Sequence, residues 1–173
     1  MKISLDELIF NIKNLKIGQK ILLSGIVYTA RDAAHRRIID LLDSGNKSKI
    51  PFDLNNSAIY YCGPTATSPG KIVGSCGPTT SSRMDIFTPR LLKEGVKILI
   101  GKGDRSKEVQ RSIKENSAIY FVATGGVAAL ISKSITKADL IAFEDLGPEA
   151  VYKFEIKDMP VIVAIDSNGN NIF

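Results

Sequence analysis

The sequence predicts an α/β fold, and three observations carry the prediction. Short Ile/Val/Leu runs of strand length alternate with helically spaced apolar residues after residue 80. Gly-Pro and Gly-rich turns separate these segments. The part before residue 80 is richer in strand-like pieces, and no linker, low-complexity stretch or composition break divides the chain, so residues 1–173 read as a single domain.

Taken in order, Ser4-Leu5-Asp6-Glu7 has the pattern of a capping box, in which the Ser hydroxyl and the Glu carboxylate satisfy free amides of the first helical turn. That helix carries Leu5, Leu8, Ile9 and Ile12 on one face and ends before Gly18. Lys20 to Tyr28 reads as a buried strand interrupted by Gly25, and Arg31 to Asp43 as a helix with Ala34, Ile38, Leu41 and Leu42 as its core stripe. Ser57 to Tyr61 and Lys71 to Gly74 read as short strands, and Met84 to Glu94 as a helix closed by Gly95. A strand over Val96–Ile100, a polar-faced helix over Ser106–Glu115 and a strand over Ala118–Ala123 follow. Gly125-Gly126 opens a small-residue helix to Lys133; strands near Leu140 and at Val161–Ile165 and a turn at Ser167-Asn168-Gly169-Asn170 complete the expectation. Asn56 to Tyr61 echoes Asn116 to Phe121, and Cys-Gly-Pro-Thr occurs twice, but two copies without a fixed period are not a repeat architecture.

Composition excludes several classes. With 44% hydrophobic residues the chain can fill a core, which excludes disorder, while 14 Gly and 7 Pro exclude a coiled coil. No apolar run reaches the roughly 20 residues needed to span a bilayer, and carboxylates at Asp6 and Glu7 interrupt any signal-peptide core, so no membrane association and a cytoplasmic location are expected. The net charge is +5, with basic residues gathered at Arg31, Arg36, Arg37, Arg83, Arg90, Lys93, Lys97, Lys102, Arg105 and Lys107. A field of that sign attracts nucleic acid and anionic metabolites alike; without tryptophan, interleaved aromatics or an RNP-like signature, nucleic acid is not the expected partner.

Four segments can carry chemistry. Thr29 to Arg37 concentrates ionisable groups at a strand-to-helix junction, where Arg31 can present a guanidinium fork to a carboxylate; the plain alternative is an exposed charged helix with the lone His35 as a surface or capping residue. Gly77-Pro78-Thr79-Thr80-Ser81-Ser82-Arg83 sets four hydroxyls and a guanidinium at a helix start, more hydroxyls than one N-cap uses. Gly101-Lys102-Gly103 lets the backbone approach a ligand while Lys102 reaches in, though plain turns share this pattern. Ala123-Thr124-Gly125-Gly126 follows a strand but lacks both the G-x-G-x-x-G and Walker patterns. Cys62 and Cys76, with one histidine in the chain, match no zinc or iron–sulfur spacing. The chain is equipped to grip anions, and a complete catalytic set is missing.

Read together and in order, several passages resemble one family. They are Leu23-Ser24-Gly25 with Tyr28 to Arg37, Gly77-Pro78-Thr79-Thr80 with Arg83-Met84-Asp85, Gly101-Lys102-Gly103, Ala123 to Gly126, Glu144 to Ala150 and Lys153 to Pro160. The set, running from about Leu15 to Asn170, is similar to the β subunit, or C-terminal domain, of the iron–sulfur class I fumarate hydratases and the related L-tartrate dehydratases. The resemblance implies a swivelling β/β/α domain that closes over an α-subunit partner carrying a 4Fe-4S cluster on three cysteines, with one iron open to substrate. It implies that Arg31 and Arg83 bind substrate carboxylates, that Lys102 assists, and that Thr79 transfers a proton. A threonine hydroxyl is a poor base in water, so that role requires neighbouring cations to stabilise its alkoxide, or a relay. Ala30, Ala33-Ala34 and the Ala123-Thr124-Gly125-Gly126 run look closer to the fumarase branch, which makes the expected activity the interconversion of (S)-malate with fumarate and water. The alternatives are an L-tartrate dehydratase β subunit and a non-catalytic anion-binding or regulatory module.

Overall fold

The computed structural model describes residues 1–123 and 128–173. Among them seven strands form one mixed sheet: β1 (Lys2–Ser4), β2 (Lys20–Thr29), β3 (Ala58–Tyr60), β4 (Ile98–Gly101), β5 (Ile119–Ala123), β6 (Ile135–Ala142) and β7 (Val151–Ile165). The helices are α1 (Leu5–Asn11), α2 (Asp32–Asp43), α3 (Thr88–Lys93), α4 (Lys107–Glu115) and α5 (Ala128–Ser134). Strands β1 to β5 pair in parallel, and β7 runs antiparallel to β2, β5 and β6. Because β7 pairs with β2 as well as β5, the strands β2–β3–β4–β5–β7 close into a ring.

Two apolar layers follow from the two faces of the strands. Ile21, Leu23 and Val27 of β2, Tyr60 of β3, Ile98 and Ile100 of β4, Phe121 of β5 and Phe154, Ile156 and Val161 of β7 pack into one core, joined by Leu5, Leu8 and Ile12 from α1 and the turn after it. The alternate residues Ile59, Leu99 and Tyr120 form the second core with Ile38 of α2, Leu91 of α3 and Val109 and Ile113 of α4.

The local chemistry at several boundaries is as the sequence predicts. Ser4 Oγ accepts from the Glu7 amide at 3.2 Å while the Glu7 carboxylate accepts from the Ser4 amide at 3.1 Å, a complete capping box. Ser106, read from the sequence as the first residue of its helix, stands one place before it as the N-cap, accepting from the Val109 amide. The Asp166 carboxylate gathers the amides of Asn168 and Asn170 and closes the terminal turn, with Gly169 at φ 83°.

Four expectations are corrected. The strand expected at Lys71–Gly74 is not formed: the Lys71 amide donates to the Ser68 carbonyl at 3.1 Å, the flanking Thr65 and Ser75 bond to each other across the loop, and the segment pairs with no strand among the described residues. The helix expected over Met84–Glu94 is split into a 3-10 turn at Ser81–Met84 and the later α3, because Pro89 lacks an N–H and belongs in a first turn. Strand–helix alternation begins at residue 2 and not after residue 80.

The fourth correction is the largest: β7 spans 15 residues where five were expected. Its inward side chains are Phe154 and Ile156 before Lys157-Asp158, then Met159, Val161 and Val163 after it, so the parity of the buried face changes in mid-strand. The cause is an extra residue opposite Leu23–Gly25, with Asp158 at φ 53° and its amide donating to Ser24 Oγ at 3.0 Å. Pro160 falls between the β6 and β5 pairings, where β7 has a neighbour on one edge only and a missing N–H is tolerated.

Phe154 is fully buried at the centre of the inner core. Phe154→Ala is expected to cost about 3–5 kcal/mol, read as a fall in the urea midpoint with little change in slope.

Candidate functional site

Strands β2 to β5 are parallel, so their carboxyl ends lie on one side of the sheet, the side where open α/β sheets bind ligands. The sequence candidates follow these ends: Arg31 after β2, the Cys62–Thr80 loop after β3 and Lys102 after β4. The Thr124-Gly125-Gly126 candidate after β5 lies outside the described residues.

Arg31 is the extended residue immediately before α2, and its side chain runs against Gly63. A Cβ at position 63 would stand 2.9 Å from Arg31 Cδ and 2.7 Å from the Pro148 carbonyl, so glycine is required there by space. Glu149 approaches Nη2 of Arg31 at 3.4 Å through Oε1, while its Oε2 accepts from the Ala33 amide at 2.9 Å. The next residue, Asp32, binds Arg83 through two parallel bonds, from Nε at 3.2 Å and Nη2 at 2.7 Å. That engages the side edge of the Arg83 guanidinium and leaves Nη1 without a partner among the described residues. The start of α2 therefore supplies Arg31 and, in the next residue, the acid that binds Arg83, while Glu149 stands against Arg31.

The four hydroxyls at 79–82 divide their work. The Thr79 amide donates to the Tyr61 carbonyl at 2.6 Å, which makes Thr79 a continuation of the β3 end and not a helix cap. Thr80 pairs with Lys102 in an isolated parallel bridge, and its side chain caps nothing. Ser81 is buried: its amide donates to the Lys102 carbonyl, its Oγ accepts from the Lys102 amide, both at 3.0 Å, and the Oγ shares a 2.9 Å bond with the Tyr120 hydroxyl. Both glycines beside Lys102 have a reason. A Cβ on Gly101 would lie 1.9 Å from Ser81 Oγ, and Gly103 has φ 80°. Thr79, Arg83 and Lys102 thus sit on two segments stitched together by Ser81, with the Lys102 side chain exposed.

Arg105, counted in the sequence among the surface cations, is buried. Its Nε donates to Asp85 at 2.6 Å, Nη2 to Thr88 Oγ1 at 2.7 Å and Nη1 to the Tyr61 hydroxyl at 3.3 Å, between the Tyr61 and Tyr120 rings. The other Asp85 oxygen accepts from the Ser106 amide at 2.7 Å. This satisfied ion pair fastens the turn carrying Thr79 and Arg83 to the start of α4. Nothing in the sequence separates it from the exposed arginines; its partner Asp85, three residues after Ser82, is the only local sign.

His35 is not a surface or capping residue. It has no exposed surface, packs edge-on to Tyr61 and stacks on Phe87, and its Nδ1 donates to the Arg31 carbonyl at 2.8 Å. Nε2 is buried without a partner among the described residues. Burial pushes its pKa down to about 4, against the opposing pull of the Arg31 carbonyl bond, so the ring is neutral at pH 7. Cys62 and Cys76 are both buried, and the Cys62 thiol is held well above the usual thiol range by its bond to the Cys76 thiol and by burial. Among the described residues no group of three His, Cys, Asp or Glu side chains could hold a metal, so the donors of this chain do not fit a 4Fe-4S cluster.

Two guanidiniums, each with an acid against it, an exposed ammonium and a pair of threonine hydroxyls follow the carboxyl ends of parallel strands in this α/β module. Comparison with known proteins agrees with that class: the Fumarase C-terminus family model matches residues 1–173, and the chain belongs to that family. It is 40% identical over 169 residues to a protein of Methanocaldococcus jannaschii named putative L(+)-tartrate dehydratase subunit beta, covering 94% of this chain and 86% of that one. It is 33% identical to the L(+)-tartrate dehydratase subunit beta of Escherichia coli, covering 94% of this chain and 81% of the relative. It is also 35% identical to fumarate hydratase 2 of Leishmania major, where the match covers all of this chain but only 30% of the relative. The relatives are named as hydro-lyases, and this chain corresponds to their C-terminal or β part. No helix among the described residues is long and apolar enough to cross a membrane.

His35 sets a pH dependence of stability. Its folded pKa of about 4 lies below the unfolded value near 6.5, so the unfolded chain takes up a proton first as pH falls. Its contribution is full above pH 6.5, and roughly 3 kcal/mol is expected to be lost between pH 6.5 and 4. Urea unfolding of wild type and His35→Phe at pH 7.5, 5.5 and 4.5 checks this, the wild type losing the more over that range.

Proposed function

We propose that this chain is the β subunit of a two-subunit class I fumarate hydratase that interconverts (S)-malate with fumarate and water in the cytoplasm. The observation that carries the proposal is that Arg31 and the acid that binds Arg83, Asp32, are consecutive residues at the start of α2, in a chain of the Fumarase C-terminus family. Two guanidiniums suit the two carboxylates of a C4 dianion, each able to offer two parallel donors in fixed geometry. Lys102 adds a third cation that compensates charge without fixing orientation. Thr79, between the Gly77-Pro78 turn and Arg83, is assigned proton transfer, its alkoxide stabilised by the cations around it.

The remaining parts of the site are assigned to an α subunit carrying the 4Fe-4S cluster, over which this domain swivels closed. The partners are that subunit and the dicarboxylate, with no nucleic acid and no membrane. The free, buried Cys62 and Cys76 thiols support a reducing compartment.

One observation favours a second substrate. The relative from M. jannaschii, matched along 86% of its length, is named for tartrate, whereas the fumarate hydratases are matched along about 30% of theirs. Co-purification of this chain with a cysteine-containing partner, then assay on malate and on L-tartrate, decides between the two. A chain that binds dicarboxylates and supports turnover of neither with any partner is the non-catalytic anion-binding module.

Within the hydratase, changing either Arg31 or Arg83 to Lys keeps the charge and removes the fork. kcat/KM is expected to fall at least about tenfold with little change in Tm, and wild-type kinetics would show that neither arginine touches substrate. Thr79→Val is expected to lower kcat by about 10²–10⁴-fold, while Thr80→Val leaves it near wild type. Steady-state dehydration with cluster content and Tm checked in parallel separates these outcomes from misfolding.

A further inference from the structure

We propose that Glu149 is a positioning residue that holds Arg31 in the orientation in which it meets a substrate carboxylate. The proposal rests on the substrate-binding role of Arg31 given above. Glu149 contacts two things at once: Nη2 of Arg31 at 3.4 Å and the Ala33 amide at 2.9 Å, one of the free amides at the start of α2. The second contact locks the carboxylate to the helix that carries Arg31, so the acid and the guanidinium share one frame.

The segment bearing Glu149 is fixed independently of Arg31. Arg37 on α2 binds Asp145 through two bonds of 2.8 Å, and its guanidinium lies 4.9 Å from the Phe143 ring centroid. Beyond Glu149, the Tyr152 amide donates to Thr29 Oγ1 at 2.9 Å, at the end of β2. Glu149 therefore stands on a support pinned on both sides. On the other flank, Gly63 and the Pro148 carbonyl form a wall that leaves no room for a Cβ. Arg31 Nε is buried with no hydrogen-bond partner among the described residues, and among them Glu149 is the acid that forms an ion pair with the guanidinium and so bears on its rotation. Misplacement of a substrate-gripping group by an ångström weakens the grip severely, which gives Glu149 leverage without touching substrate.

A double-mutant cycle in the enzyme assembled with its cluster-bearing partner tests this, on whichever of malate and tartrate it turns over. Glu149→Gln retains an oxygen for the Ala33 amide and removes the charge on Nη2. KM is expected to rise about tenfold, with kcat within about threefold of wild type. In an Arg31→Lys background the same change is expected to move KM less than about twofold, because the group it positions is gone. Equal effects in the two backgrounds overturn the proposal, since Glu149 then acts by another route. A wild-type KM for Glu149→Gln with an impaired Arg31→Lys overturns it too and leaves the substrate role of Arg31 standing. A wild-type Arg31→Lys removes the reading beneath it and the proposal with it. Should Glu149→Gln fail to fold, Glu149→Asp, which keeps the charge but withdraws it by one methylene, enters the same cycle under the same criteria.

Discussion

The pairing of both edges of β7 is the constraint on which the rest of the structure depends. At Val161 and Ile162 the strand is bonded to β2 on one side and β5 on the other, and this closes five strands into a ring. Closure removes two exposed edges and encloses the apolar cluster around Tyr60, Phe121 and Phe154. It also fixes the relative heights of the parallel strands β2 to β5, whose carboxyl ends carry the candidate residues. Closure brings the start of β7 back beside β2, and Glu149, just before that start, meets Arg31, just after β2.

The site is a set of compensated charges. Arg31 faces Glu149 and Arg83 faces Asp32, so the intrachain pairs are close to neutral, and Lys102 is an exposed cation beside them. Each guanidinium is held by an acid, and Arg83 keeps Nη1 outside its pair with Asp32. The more exposed of the two, Arg83–Asp32, contributes little to stability. Fold energy comes from elsewhere, above all from the two apolar layers, while the enclosed Asp85–Arg105 pair fixes the position of the Thr79–Arg83 turn.

The comparisons and the geometry bear on different questions. Family membership rests on a match along the whole chain, and the β-subunit relatives share nearly its length. Substrate choice rests on neither, because the relatives are named for tartrate and for fumarate alike.

What the sequence determined by itself was whatever depends on neighbours along the chain: the capping box at Ser4 and Glu7, the apolar stripe of α2, the helix of α4, and the strand runs of β2, β4 and β5. These signals are local because a hydrogen bond to a residue three positions away, or a repeat of two or 3.6 residues, is written in consecutive letters. Tertiary structure alone decided the rest. The bulge at Lys157-Asp158 reverses the inward parity of β7, so a single long strand reads as a broken pattern until β2 is set beside it. His35 and Arg105 are polar letters on segments that look exposed, and only the packing of Tyr61, Phe87 and Tyr120 buries them. Glu149 stands 118 positions from Arg31, and a contact across that separation has no sequence period to announce it; it exists because ring closure returns the chain to where β2 ends.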